Sequence, residues 1–199
     1  MRVICLKPND KLYSCQSYLI LGDWNRLEDV NTLIDAGVDN FVLQEIARIS
    51  TGVGKSAVDQ ILLTHSHFDH AAGSCMIQEA YRSRVRAFAP LAYVDEVLRD
   101  GETVRCGDRD FRVIHSPGHS NDSVCLYCEQ ERVLFSGDTP LVIRTAGGAY
   151  TLSFVQVLEL LAGLKIDTVY PGHGTPMTAH IRAMILQTLK NVRSSVVCD

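Results

Sequence analysis

The sequence lacks both a long hydrophobic run and an excess of basic charge. One of its longest apolar stretches, residues 155–164, is interrupted by Gln156 and Glu159, so it predicts no membrane span. The apolar stretch at residues 3–6 is too short for the hydrophobic core of a signal peptide. With 19 basic and 23 acidic residues, the chain also lacks the charge of a general nucleic-acid binder. We therefore expect neither a membrane partner nor a nucleic-acid partner.

The sequence also lacks the even, regular cysteine spacing of a disulfide-bonded protein. Its seven cysteines are scattered and mostly set among apolar residues, which predicts reduced, buried thiols in a cytoplasmic protein. Cys125 and Cys128 form a single Cys-x-x-Cys pair. The run around them predicts a strand, in which positions three apart face opposite sides, so this pair is a weak metal signal.

No low-complexity segment, charge block or linker divides the 199 residues, and we expect one domain spanning residues 1–199. Short β-rich runs alternate with helical patterns. Strands are predicted at 18–21, 31–37, 59–64, 85–89, 103–106, 111–115, 124–128, 133–136 and 168–170. Helices are predicted at 40–49, 70–81, 91–98, 151–164 and 179–192. This alternation predicts a layered α/β or α+β sandwich.

The strongest chemical feature is a cluster of four potential metal ligands, His65, His67, Asp69 and His70, directly after a buried strand. An extended backbone places the first two imidazoles on one side, and the turn into the next helix can fold Asp69 and His70 back towards them. Imidazole and carboxylate ligands together suit zinc, iron or manganese, whereas dedicated calcium sites use oxygen alone.

Three later segments repeat this arrangement, because each predicted strand ends in a glycine-containing turn that presents His or Asp. Loops at strand ends are common positions for ligands. The residues presented are His119, Asp138 and His173. His115 lies four residues before His119, but Pro117 and Gly118 exclude a helical His-Glu-x-x-His motif, so we interpret His115 as a residue that supports the site.

Together these motifs resemble the metallo-β-lactamase superfamily, whose signature is His-x-His-x-Asp-His followed by a distant His, Asp and His. The resemblance runs from Leu33-Ile34-Asp35-Ala36-Gly37 to Pro171-Gly172-His173-Gly174 and implies a four-layer αββα sandwich, an α+β fold. It implies one metal on His65, His67 and His119, a second on Asp69, His70 and His173, and Asp138 between them.

The resemblance further implies a metal-dependent hydrolase that uses a metal-bound hydroxide at a dinuclear site, with two divalent ions, zinc first and iron or manganese as alternatives. In this interpretation Asp69 is also the catalytic proton shuttle. Asp35 supports the site from behind its ligands, or else simply caps the turn before Gly37.

The closest-looking branch is the glyoxalase II-like one, through Phe135-Ser136-Gly137-Asp138-Thr139. Only 26 residues follow His173, too few for the helical domain with which a full glyoxalase II grips glutathione. We therefore expect a small ester, thioester or lactone as substrate. The alternatives are a mononuclear-iron oxidoreductase similar to the persulfide dioxygenases, and a metal-binding protein without turnover.

Substrate specificity is expected from loops that carry aromatic and arginine side chains. These side chains could line a pocket, form a homo-oligomer contact or lie on an ordinary surface. The residues are Tyr13, Trp24, Arg26, Arg144 and Tyr150, with Arg144 and Tyr150 as the candidate substrate-binding pair.

Overall fold

Two β-sheets form the centre of the molecule in a computed structural model that describes residues 1–9 and 11–198. The first sheet has six strands in the order β1 (Arg2–Cys5), β2 (Tyr18–Leu21), β3 (Thr32–Ile34), β4 (Gln60–Leu62), β5 (Arg84–Ala87) and β6 (Glu96–Val97). The second has the spatial order β12-β10-β9-β8-β7, from β7 (Thr103–Cys106), β8 (Arg109–His115), β9 (Val124–Cys128), β10 (Val133–Gly137) and β12 (Thr168–Pro171). A short ladder pairs β11 (Ala149–Thr151) with β13 (Val196–Cys198).

The helices cover the outer faces of these sheets. They are α1 (Phe41–Ile46), α2 (Phe68–Ala71), α3 (Ser74–Tyr81), α4 (Leu152–Gly163) and α5 (Ile181–Arg193). The hydroxyl of Thr151 accepts a hydrogen bond from the Phe154 amide and so caps the start of α4. Across residues 1–9 and 11–198, no helix combines the length and apolar character needed to cross a membrane.

Three hydrophobic clusters show how the layers stack. One lies between the sheets, where Ile20 and Leu62 of the first sheet meet Phe111 and Phe135 of the second. A second cluster packs α1 and α3 against the outer face of the first sheet, and a third packs α4 and α5 against the outer face of the second. The predicted α+β fold, a four-layer αββα sandwich, is therefore confirmed.

Strand register brings the ends of several strands to one edge of this sandwich. β3 and β4 run parallel with Ile34 opposite Leu62, so the residues that follow both strands emerge side by side. β10 and β12 are also parallel and end together. The two sheets are joined at this edge by a hydrogen bond from the Val124 amide to the Thr64 carbonyl, at 2.8 Å.

The predicted helix at 91–98 is wrong, because this segment extends the edge of the first sheet. The Asp95 amide donates to the Val85 carbonyl at 2.8 Å, and the Asp95 carboxylate accepts from the Val85 amide at 2.8 Å. Pairing with β5 therefore outweighs local helical periodicity. The predicted helix at 70–81 is divided into α2 and α3 at Gly73, whose backbone lies too close to the Ala36 carbonyl for any side chain.

The cysteine prediction is only partly correct. Cys125 and Cys128 lie on opposite faces of β9, the first packed under the outer helices and the second between the sheets. All seven thiols are free, but Cys5, Cys75 and Cys198 are exposed rather than buried. These three lie on edge or surface elements, where the apolar neighbours in sequence do not form a core.

Candidate metal centre

The four clustered ligand candidates lie on what we call the motif segment, residues 64–70, which leaves β4 and turns into α2. His67 is still extended (φ −60°, ψ 148°) and precedes the first turn of that helix. His65 Nε2 lies 3.1 Å from His67 Nδ1. The turn brings His70 back over His65, with ring centroids 4.1 Å apart. The turn from β4 into α2 thus brings the ligand side chains of the motif segment close together.

Asp35 holds the motif segment from behind. It follows β3 with a left-handed backbone (φ +57°), a conformation that Asp adopts more readily than most residues. Its carboxylate accepts hydrogen bonds from the Thr64 amide and the Thr64 hydroxyl, both at 2.8 Å. It also lies 2.8 Å from Nδ1 of His70, whose ring is fully buried. Asp35 therefore orients His70 so that Nε2 faces the other candidate ligands.

The remaining candidates come from three loops, at residues 115–119, 137–139 and 171–174, which we call the ligand loops. His119 Nε2 lies 2.9 Å from His67 Nδ1. His173 Nε2 lies 3.0 Å from Asp69 Oδ2. The structure therefore brings together all seven residues that the resemblance implied as metal ligands.

The ligand atoms divide into two groups that could each hold a metal ion. One contains His65, His67 and His119; the other contains Asp69, His70, Asp138 and His173, and atoms within each group lie within 4.8 Å of one another. The Asp138 carboxylate faces both groups, since Oδ2 lies 3.5 Å from Nε2 of His119 and 3.5 Å from Nε2 of His173.

A buried nitrogen without a partner indicates that a cation fits this arrangement. Within the described part of the chain, His70 Nε2 is buried and neither accepts nor donates a hydrogen bond. It lies 3.4 Å from Asp138 Oδ1 and 3.6 Å from Asp69 Oδ2. Buried polar atoms are rarely left unpaired, and a metal ion bound by these three side chains would satisfy the nitrogen.

The electrostatics of the cluster agree with this interpretation. Burial, followed by the neighbouring His70, lowers the pKa of His65 to about 4, so its ring is neutral at pH 7, as metal binding requires. Burial opposes protonation of His70, but the Asp35 carboxylate outweighs it and holds the pKa of His70 above its usual range. Burial would raise the pKa of Asp138, yet His70 beside it lowers that pKa to about 2. Asp138 thus remains ionised at pH 7 and favours positive charge here.

Among the described residues, His115 and the two candidate substrate-binding residues form no hydrogen bond or ring contact with a candidate ligand. His115 Nε2 lies 2.8 Å from the Asn121 carbonyl, and its ring stacks on Phe88 with centroids 4.1 Å apart. Arg144 is exposed, and Tyr150 stacks on Phe154. Neither Arg144 nor Tyr150 is among the described residues that line the cavity beside the ligands.

Of the other loop residues, Tyr13 alone contacts a candidate ligand. Its ring stacks on His173 with centroids 5.0 Å apart, and its hydroxyl lies 3.4 Å from His173 Nε2. Trp24 and Arg26 instead line a separate surface cavity beside Asp23 and Asp108.

Sequence reasoning missed several residues that position the ligands. Thr64 links Asp35 to the motif segment, and Cys15 is buried beside Asp35 and His70. A β-carbon at Gly172 would lie 2.2 Å from Asp138 Oδ1 and 2.7 Å from His70 Cε1. The Gly in the His173 turn was visible in the sequence, but its close contacts are formed only by tertiary packing.

Comparison with known proteins gives a family match over most of the chain. The metallo-beta-lactamase superfamily matches residues 11–94 and 76–173. An atrochrysone carboxyl ACP thioesterase from Aspergillus fumigatus is 28% identical over 180 residues, which are 83% of this chain and 42% of that protein. A hydroxyacylglutathione hydrolase from Rhodopseudomonas palustris is 35% identical over 120 residues, 57% of this chain and 47% of that protein. The chain therefore spans about half the length of these curated relatives.

Solved structures show the same fold. A metallo-beta-lactamase family protein from Thermus thermophilus superposes with a TM-score of 0.69 and 22% sequence identity. The match covers 96% of this chain and 79% of that protein.

Proposed function

This chain belongs to the metallo-β-lactamase superfamily, and from that membership we propose that it is a dinuclear metallohydrolase of a small ester, thioester or lactone. The observation that carries the proposal is the convergence of seven His and Asp side chains on two adjoining groups, with Asp138 facing both. Two curated relatives are named as a thioesterase and a hydroxyacylglutathione hydrolase, and these names support hydrolysis as the reaction. We take residues 1–199 as one catalytic domain.

In this proposal His65, His67 and His119 would hold the first ion, and Asp69, His70 and His173 would hold the second, with Asp138 available to both. Zinc is the first choice, and iron or manganese would also suit these ligands. Two such ions supply a hydroxide from water at neutral pH and Lewis-acid stabilisation of a developing oxyanion.

Two carboxylates have separate roles in this proposal: one orients a metal ligand, and the other transfers a proton. Asp35 holds His70 in one orientation through Nδ1. In hydrolysis a water oxygen bonds to the carbonyl carbon, the bond from that carbon to oxygen or sulfur breaks, and the leaving group takes a proton. In this proposal the ionised Asp69, which is buried beside His173, takes a proton from the attacking water and passes it to the leaving group.

Asp69→Asn tests the proton-transfer role. The amide keeps the size of the side chain but cannot carry the proton, so we expect the fold to persist and kcat to fall about 100-fold or more. Asp167→Asn, at the opposite end of β12, is the matched control, because its exposed carboxylate pairs only with Arg132 among the described residues. Unchanged kcat/KM together with unchanged metal content in Asp69→Asn would remove Asp69 from this role.

The function itself is tested by elemental analysis and a screen of small thioesters and lactones on the same purified sample. We expect two zinc-type ions per chain and hydrolysis of at least one substrate class. One iron per chain, with brisk oxygen uptake on glutathione persulfide, would instead establish the mononuclear oxidoreductase. Bound metal without any turnover would indicate the binding protein.

A further inference from the structure

A cavity of about 360 Å³ opens directly beside the candidate metal ligands. His119, Asp138 and His173 form one side of it. Its size lies at the lower end of the range for small-molecule sites. A group bound there would therefore adjoin the reacting centre.

Apart from those three side chains, the cavity lining carries no ionisable group. Its apolar members are Pro140, Leu141, Val142, Pro171 and Met177, and its neutral polar members are Ser136, Thr139 and Thr175. Across residues 1–9 and 11–198, no lysine or arginine lines it. At the end of the cavity away from the metal ligands, a carboxylate would lose hydration without gaining a lysine or arginine partner, which is costly.

The apolar residues of the lining are held in place by α5 and β12. The Thr188 hydroxyl of α5 donates to the Leu141 carbonyl at 2.8 Å and accepts from the Ile143 amide at 3.0 Å. Met177 exchanges two backbone hydrogen bonds with Val169 of β12, both at 2.9 Å. The cavity therefore exists before a ligand binds.

From this lining we infer that the cavity binds the acyl group of the substrate, and that the enzyme prefers short, neutral, apolar acyl groups. The inference rests on the proposed hydrolase function. The acyl group is the part that fits, since thiol leaving groups such as glutathione are larger and carry several charges. Specificity then comes from Val142 and Met177 rather than from Arg144 or Tyr150.

Kinetics on a matched series of esters test this preference. With one leaving group and linear acyl chains of increasing length, kcat/KM is expected to rise about fourfold per methylene until the cavity is full. An ω-carboxylate on the same chain is expected to lower kcat/KM at least tenfold. Equal or greater kcat/KM for the ω-carboxylate esters would overturn the inference while leaving the hydrolase function intact.

Val142→Lys and Val97→Lys form a matched pair, because the two valines are 47% and 44% exposed and only Val142 lines the cavity. Val142→Lys should reverse the preference towards ω-carboxylate esters by at least tenfold, and Val97→Lys should leave it unchanged. Reversal in both variants, or in neither, would contradict the assignment.

A binding measurement separates the cavity from the reaction. Hexanamide and its ω-carboxylate analogue, adipamate, are titrated by NMR into the metal-loaded protein. We expect hexanamide to shift signals of residues 140–142 and 177, and adipamate to shift them only in Val142→Lys. If the wild type hydrolyses no ester but binds hexanamide there, the cavity assignment stands and the proposed function fails. Hexanamide binding elsewhere, or none, overturns the assignment.

Discussion

The motif segment and the ligand loops hold their side chains by different means. The motif segment is contiguous, and one buried carboxylate, Asp35, anchors it through Thr64 and His70. The ligand loops are far apart in sequence and depend on close backbone packing. At Gly172 and Gly137, a β-carbon would approach Asp138 and Thr64 within 2.2 and 2.5 Å, respectively. Close spacing in the sequence therefore brings the side chains of the motif segment together. The ligand loops come together because their glycines have no side chain to keep the backbones apart.

The largest effect is expected where the two regions meet, at Gly172. In Gly172→Ala the new methyl group would displace Asp138 and His70, so we expect a loss of about 1–3 kcal/mol in the free energy of unfolding. Displacing a catalytic group by about 1 Å can cost 100-fold in rate, and we expect a fall in kcat/KM of that order. Denaturant unfolding and kinetics measure both.

Gly163→Ala is the control for this substitution. No described atom outside its neighbours lies within 4 Å of its β-carbon position, and it closes α4. It should be neutral or stabilising by up to about 1 kcal/mol. If Gly172→Ala behaves like Gly163→Ala, the ligand loops do not depend on close backbone contact.

A smaller effect is expected from Asp35→Asn, which tests the anchor of the motif segment. Asn tolerates the left-handed backbone, but its NH2 group must face a donor at Thr64 or His70. We expect a stability loss of about 1–3 kcal/mol and metal affinity reduced about 10–100-fold. Calorimetric unfolding and competition with a chelator provide the two values.

Asp59→Asn separates the anchoring role from general loss of a hydrogen-bonded carboxylate. Asp59 accepts a hydrogen bond from the Asn31 amide at 2.7 Å, on the opposite end of β4 from the motif segment. It should lower stability without changing metal affinity. Equal metal affinity in Asp35→Asn and Asp59→Asn would show that Asp35 has only a structural role.

The smallest effect is expected from Thr139→Val in the ligand loops. The Thr139 and Ser116 hydroxyls are hydrogen-bonded at 2.9 Å and join the loop of Asp138 to the loop of His119. Loss of this bond should cost about 1 kcal/mol. A double-mutant cycle with Ser116→Ala measures the coupling between the two hydroxyls, and additive effects would show that the loops are independent.

Most of the fold could be predicted from local pattern. The continuous apolar runs at β2, β4, β9 and β10 predict buried strands, and those elements are present with small differences in bounds. The segment at 91–98 could not be predicted, because its helical periodicity is overridden by pairing with β5. The strands β11 and β13 were missed because short ladders carry little local signal.

The sequence by itself determined which side chains could bind metal. Imidazole and carboxylate groups at strand ends, in the His-x-His-x-Asp-His spacing, point to this chemistry because extended backbone and the following turn place them together. Its apolar periodicity also predicted a layered α/β or α+β sandwich, since such faces must pack on one another, and the resemblance to the superfamily narrowed this to the four-layer α+β fold.

Only the tertiary structure decided which residues support those ligands and which line the cavity beside them. Among the described residues, His115, Arg144 and Tyr150 form no hydrogen bond or ring contact with a candidate ligand and do not line the cavity. Thr64 and Gly172 adjoin the ligands, and Val142 and Met177 line the cavity. Parallel pairing of β10 with β12 and the packing of α5 on residues 141–143 create these neighbours. Such contacts join residues far apart in the chain, so no local pattern carries them.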